Sequence, residues 1–178
     1  TGAVSYPIYQ TSTYRNPGLN SGIKFSCSRC DNPTRFELEN TIALLEGGVA
    51  GFAFASGLAA VTTTFSLLKS GDHVVISDDV YGGTYRQVEE LWKHFGVQFT
   101  VVDVGDTNAV RAAMQDNTKM VYLESPTNPM MKVADIAAIA EISKAHGPLL
   151  VVDNTFLTPY FQKPIELGAD IVIRSGTK

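Results

Sequence analysis

The sequence predicts an α/β fold: a mainly parallel sheet flanked by helices, entered through an extended N-terminal arm. Three observations carry this expectation. Short apolar runs alternate with helix-like segments from residue 51 onward, the pattern of strands joined by covering helices. Two of those runs, Leu149–Val152 and Ile171–Ile173, show no polar alternation, as strands buried on both faces do. Residues 1–32 are rich in Thr, Ser, Pro, Gly and Asn, with Pro7 and Pro17 as breakers and no helix or strand period.

Each element has its own signal. An arm over 1–32 needs another surface to lie on, and we expect that surface to be a neighbouring subunit. A larger domain is expected over 33–178. It opens with a helix at Pro33, with Phe36, Leu38, Thr41, Ile42 and Leu45 as apolar positions and Gly47–Gly48 as its stop. Gly51–Ala55 is a short strand candidate, running through Ser56–Gly57 into a helix that ends near Ser70–Gly71. His73–Ser77 is the next strand, then an amphipathic helix from the Tyr81–Gly83 turn to Phe95. Val97–Val102 and Met120–Leu123 continue the strands, and Val133–Ala145 reads as a helix with Ile136, Ile139, Ala140 and Ile142 on one side.

Composition narrows the function classes. Of 178 residues, 44% are hydrophobic and 18% charged, with a net charge of −4, values of a soluble globular protein. No basic run or basic–aromatic stripe points to nucleic acid, and no apolar stretch is long enough to span a bilayer. Cys27 and Cys30 form a C-x-x-C pair, but a zinc site needs two more ligands, and His73, His94 and His146 lack metal-ligand spacing. No metal is expected. No G-x-G-x-x-G follows a strand, which weakens a dinucleotide-binding reading. A cytoplasmic location is the expectation from the reduced-thiol reading of the cysteines.

Ligands of open parallel sheets bind beyond the carboxyl ends of the strands, so the residues just past each apolar run carry the functional signal. Ser56, Gly57 and Leu58 open a helix where backbone N–H groups and the dipole favour an anion. Tyr81 stands beside Gly82 and Gly83, which let a backbone approach a planar ring. Asn128 sits in the turn Glu124–Pro129. Asp153 comes after four apolar residues, a costly place for a carboxylate without a cation. Arg174–Lys178 ends in two hydroxyls, Ser175 and Thr177, and a lysine. Each has an ordinary alternative: a turn, a cap, a loop aromatic, a solvated amine. Together they form a set that pyridoxal phosphate (PLP) requires: phosphate donors, a stacking ring, an acid for the pyridinium nitrogen and an amine for the aldehyde.

The motifs that carry this set resemble those of the Cys/Met-metabolism PLP enzymes. They are PIYQTST (Pro7–Thr13), SRCDNPTR (Ser28–Arg35), LEGG (Leu45–Gly48), ASGLAA (Ala55–Ala60), YGGTYR (Tyr81–Arg86), ESPTNP (Glu124–Pro129), VVDNTF (Val151–Phe156), LGAD (Leu167–Asp170) and SGTK (Ser175–Lys178). The family includes cystathionine γ-synthase, cystathionine β- and γ-lyases, methionine γ-lyase and O-acetylhomoserine sulfhydrylases. The resemblance implies a PLP-dependent transferase-like large domain of the aspartate aminotransferase type. It implies Lys178 as the Schiff-base lysine, and Ser56, Gly57, Leu58, Ser175 and Thr177 on the phosphate. Tyr81 would stack and help move protons, Asp153 would pair with the ring nitrogen, Asn128 would lie near the phenolic oxygen, and Arg29 would reach the neighbouring subunit's phosphate. The implied assembly is a homo-oligomer, a dimer of dimers.

The implied activity is β- or γ-elimination, or γ-replacement, at a C–S or C–O bond of a cystathionine- or homoserine-type amino acid. O-acetylhomoserine sulfhydrylase and methionine γ-lyase are alternatives within the family, the latter disfavoured because methionine γ-lyases commonly carry cysteine where this chain has Gly83. A PLP-fold binding protein without catalysis is the alternative of another class. Relatives usually read Tyr-Ser-Arg at Cys27–Ser28–Arg29, and the shorter cysteine is the poorer hydrogen-bond partner. Relatives also continue past Lys178 into a C-terminal domain, so the 178-residue chain alone is expected to be inactive.

Overall fold

The computed structural model describes residues 2–19 and 21–178; Thr1 and Asn20 lie outside the described residues. The chain divides into two units, Thr1–Ala53 and Phe54–Lys178.

In the first unit the arm holds one isolated antiparallel bridge, Thr13 to Cys27. Several of its apolar side chains stand in solvent, with Val4 and Leu19 essentially fully exposed, while Phe25 packs between Tyr14 and Phe36. The arm returns to the start of helix α1 (Pro33–Glu46): Tyr9 N–H donates to Thr34 Oγ1 at 2.9 Å, and Asn32 Nδ2 donates to Tyr9 O at 3.0 Å. The α1 boundaries match those the sequence predicts. Asn32 caps by accepting from Thr34 N, Pro33 opens the helix, and Gly47 closes it at φ 72°. The strand expected at Gly51–Ala55 does not form. Ala53 N–H donates to Glu39 Oε1 at 2.9 Å instead of to a ladder. A Cβ on Gly51 would stand 2.3 Å from Glu39 O, so this segment lies directly on the backbone of α1.

The second unit contains a five-stranded parallel sheet in the order β2-β1-β3-β4-β5. The strands are β1 (His73–Ser77), β2 (Gln98–Val102), β3 (Thr118–Glu124), β4 (Leu149–Asp153) and β5 (Ile171–Ile173). Its helices are α2 (Gly57–Phe65), α3 (Gly82–Gln87), α4 (Thr107–Ala112), α5 (Ile136–His146) and α6 (Thr158–Phe161). Successive residues of one strand enter opposite cores. Val74, Ile76, Met120, Tyr122 and Val151 pack with Val61, Phe65, Val88 and Trp92, on the side of α2 and α3. Val75, Val121, Leu123, Leu150 and Val152 pack with Val110, Ile136, Ile139 and Ala140, on the side of α4 and α5. Two covered faces explain why β1, β3 and β4 read as unbroken apolar runs. β5 departs from that pattern: it pairs with β4, and Ile171 and Val172 are only half-buried.

Three helix boundaries also differ from expectation. α2 stops at Phe65, because Thr62, Thr63 and Thr64 turn their hydroxyls back onto the carbonyls of Leu58, Ala59 and Ala60 at 2.8–3.0 Å. The chain then tightens into three-residue bonds, Leu67 N to Thr64 O and Leu68 N to Phe65 O. The helix expected to reach Phe95 is α3 followed by a π turn at Val88–Trp92, where Lys93 N–H donates to Val88 O. Val88 and Trp92 are both buried by it. α5 begins at Ile136, since Asp135 caps it and Ala134 N–H is taken by Ser125 Oγ at 3.1 Å.

Candidate active site

Because all five strands are parallel, their carboxyl ends share one edge. That edge receives Tyr81 after β1, Asn128 after β3, Asp153 at the end of β4, and Ser175, Thr177 and Lys178 after β5. Ser56, Gly57 and Leu58 arrive by a different route, at the N-terminus of α2. Ser56 is its N-cap, its side chain accepting from Ala59 N at 3.1 Å. The first N–H groups of the helix are left without intrahelical acceptors.

The structure joins two of these groups closely. A Cβ on Gly57 would lie 3.2 Å from Ser175 Cβ and 3.7 Å from its Oγ. The start of α2 and the Ser175 hydroxyl therefore form a single cradle, open because position 57 has no side chain. Ser175 is itself tethered: its N–H donates to Thr155 Oγ1 at 3.0 Å, while that hydroxyl donates to Asp153 Oδ1 at 2.5 Å. Thr155 N–H adds a second bond to the same oxygen at 3.1 Å. One threonine thus couples the acid of β4 to the Ser175 backbone beyond β5. Thr177 N–H faces Ser175 Oγ at 3.5 Å, and Thr177 and Lys178 are exposed.

Asp153 is 8% exposed. Burial raises its carboxyl above the usual range, while the Thr155 bonds and the charge of Arg174 pull it down. A cation beside it would favour the charged carboxylate and draw its pKa back down. Tyr81 is 45% exposed and holds the N-cap position of α3. Its ring lies against Gly83: a Cβ there would stand 2.3 Å from Cε1. Its backbone N–H donates to Glu124 Oε2 at 2.6 Å.

Glu124 and Thr155 are positions that the strand-end reading did not single out. Glu124 ends β3 and is 5% exposed. Burial, reinforced by the charges of Asp153 and Asp79, pushes its carboxyl up to about 7, against the backbone N–H groups of Tyr81 and Asn128. An acid closing an apolar strand is the same signal that marks Asp153, so Glu124 was findable. Thr155 had no such signal, since its role arises only from β4 and β5 being neighbours. Asp79 staples the Asn128 turn, accepting from Thr127 Oγ1 at 2.5 Å and Met130 N at 2.9 Å. Asn128 itself is half-buried.

Arg29 belongs to the first unit, where it is exposed in the turn after Cys27. A shallow, open concavity along α5, lined by Asp135, Ala138, Glu141, Lys144 and Gly168, contains none of these groups. Among the described residues no cluster of His, Cys, Asp and Glu could hold a metal ion, and no helix is long and apolar enough to cross a membrane.

The family model described as Cys/Met metabolism PLP-dependent enzyme matches residues 1–178. The chain belongs to this family. A cystathionine β-lyase of Lactococcus lactis subsp. cremoris is 53% identical over 178 residues, all of this chain and 47% of that protein. A cystathionine γ-lyase of Bacillus subtilis strain 168 is 52% identical, again over the whole chain and 47% of the relative. Among solved structures, a cystathionine γ-lyase from Lactobacillus plantarum, complexed with L-serine, superposes with a TM-score of 0.93 at 52% identity. That match covers 98% of this chain and 45% of that one. The chain thus spans about half the length of the curated relatives it matches. As a member of a PLP-dependent family it has residues that fit the cofactor: an open cradle at Gly57 and Ser175, a buried acid, and an exposed aromatic ring and amine on the same sheet edge.

Proposed function

We propose that the full-length protein is a PLP-dependent enzyme of sulfur amino-acid metabolism. It would eliminate or replace a β- or γ-substituent of a cystathionine- or homoserine-type substrate. The observation that carries this reading is the Asp153–Thr155–Ser175–Gly57 chain, which sets a buried acid and an anion cradle in fixed relation. The α2 N–H groups, with Ser56, Gly57, Leu58, Ser175 and Thr177, would bind the phosphate. Asp153 would hold the ring nitrogen's proton, Tyr81 would cover the ring face, and Asn128 would orient the ring from the β3 side. PLP, when bound, delocalises the negative charge left on a deprotonated substrate carbon. Lys178 would hold the cofactor through its Nζ and move the proton between substrate carbons, with Tyr81 Oη assisting.

The arm supports the oligomeric part of the reading. Val4, Ile8 and Leu19 are exposed apolar side chains on a segment with almost no secondary structure of its own. A second copy of the chain would cover them, and Arg29 would serve that copy's phosphate.

Lys178→Ala in the full-length protein is expected to abolish both turnover and the visible absorbance band of the lysine-bound cofactor. Retention of both would overturn the assignment. Relatives named β-lyase, γ-lyase and γ-synthase/O-acetylhomoserine (thiol)-lyase stand at 53%, 52% and 52% identity, so identity does not rank these chemistries. Parallel assays with cystathionine, methionine, and O-acylhomoserines plus cysteine separate them.

A further inference from the structure

Cys27 and Cys30 lie at the two ends of one tight turn in the first unit. Cys30 N–H and Asp31 N–H both donate to Cys27 O at 3.0 Å. Such a turn holds its end Cα atoms within about 7 Å, close to the span that disulfides use. The sulfurs are 3.7 Å apart, and both cysteines are free, Cys27 half-buried and Cys30 exposed. The turn is anchored on each side. Cys27 sits in the bridge to Thr13, with Ser28 N–H donating to Ser12 O at 3.0 Å, and the Cys30 carbonyl accepts from the Arg35 guanidinium.

We infer that Cys27 and Cys30 are a reversible dithiol–disulfide pair, oxidised by exchange with a small disulfide, with Cys27 as the attacking sulfur. The two thiols are unequal in the sense this order requires. The Cys30 N–H, then the Cys30 thiol and the Arg29 side chain, hold the Cys27 thiol below its ordinary value, whereas Cys27 pushes the Cys30 thiol up. In the first step the Cys27 thiolate attacks one sulfur of the small disulfide, forming a mixed disulfide and releasing one thiolate. The Cys30 thiolate then attacks the Cys27 sulfur, closing the ring and releasing the second. The two cysteine protons end on the two released thiols, and the small disulfide takes the two electrons. Closing the ring shortens 3.7 Å to the bonded distance of about 2.05 Å. It also removes the Cys27 thiol that the Arg29 side chain faces. The chemistry needs no residue of the sheet edge and no bound PLP, although Arg29, which holds the Cys27 thiol low, is the residue assigned above to a second copy's phosphate.

The test is exchange of the reduced full-length protein with oxidised glutathione, followed by acid quench, alkylation of free thiols and peptide mass analysis. Trypsin cuts after Arg29, inside the ring, so peptides 25–29 and 30–35 stay joined after oxidation and separate on reduction. Cys30→Ser is expected to accumulate glutathione on Cys27, and Cys27→Ser to react at Cys30 at least about tenfold more slowly. Full alkylation of both cysteines after glutathione treatment, or glutathione on both without a joined peptide, would overturn the pair. Equal rates in the two serine variants would overturn Cys27 as the attacking sulfur.

Discussion

The ring of Tyr81 occupies the space that a side chain at position 83 would need: a Cβ on Gly83 would stand 2.3 Å from Cε1 and 3.0 Å from Cδ1. The neighbour that must give way is a flexible side chain on a half-exposed loop, not backbone. Gly83→Ala is therefore expected to leave stability within about 1 kcal/mol while swinging the ring off its position. In the full-length enzyme we expect kcat/KM to fall by about tenfold or more, with an altered cofactor absorbance band. Gly82→Ala is the control, because a Cβ there meets only Arg86 Nη1 at 3.7 Å. Equal losses in both variants would assign the effect to the helix and not to the ring.

Glu124 makes stability pH-dependent in a direction opposite to most carboxylates. Its folded pKa of about 7 lies above the ordinary value of 4.5, so between these values the native state binds the extra proton. Stability then falls as pH rises through that window and is level above it. Glu124→Gln keeps an oxygen for the Tyr81 N–H, which sits at 2.6 Å, but removes the titration. Urea unfolding of the full-length apoprotein at pH 5 and pH 8 should show a larger drop for the wild type than for the variant. Asp153, also raised by burial, contributes a slope of the same sign in both proteins. An equal drop in both would refute the Glu124 effect.

What the residues disclosed in advance, and what they hid, divides along local and non-local lines. Strands β1, β3 and β4 were readable because both faces are covered, and α1 because Asn32, Pro33 and Gly47 mark its ends. Asp153 was readable because a carboxylate after Leu149–Val152 must find a reason. The end of α2 was not, since three threonines with ordinary helical placement turn their hydroxyls inward only once the helix forms. Gly51–Ala55 looked like a strand until α1 supplied a side-chain acceptor in place of a ladder. Thr155 was invisible because its two partners, Asp153 and Ser175, stand on either side of it in separate strand ends.

The Thr155 hydroxyl gives the next prediction. Asp153→Asn removes the charge that would face a pyridinium nitrogen and leaves the Thr155 bonds with an acceptor. Breaking a buried ion pair costs about 3–5 kcal/mol, so kcat/KM of the full-length enzyme should fall by at least about 10²-fold. Thr155→Val instead deprives Asp153 Oδ1 of its hydroxyl donor and Ser175 N–H of its acceptor. It should also weaken cofactor binding, because it loosens the cradle and removes one hydrogen bond from the acid while leaving the charge in place. Cofactor dissociation constants measured by absorbance titration compare the two; unchanged binding in Thr155→Val would remove the threonine from this role.

The cradle itself can be tested separately from the ring contacts. Gly57 faces Ser175, and a methyl group there would come within 3.2 Å of Ser175 Cβ. Ser175 cannot retreat freely, since its N–H is held by Thr155 Oγ1 at 3.0 Å. Gly57→Ala should therefore push into the space between the α2 N–H groups and the Ser175 hydroxyl. Alanine is favoured over glycine in a helix by about 0.5–1 kcal/mol, which offsets part of the cost of the close approach, so thermal stability should change little. Pyridoxal and pyridoxal phosphate differ only in the group that would enter this space. Titrating the full-length apoprotein with each should show PLP affinity reduced about tenfold in the variant and pyridoxal affinity unchanged. If both ligands weaken equally, the methyl group acts on the whole site; if neither weakens, the phosphate sits elsewhere.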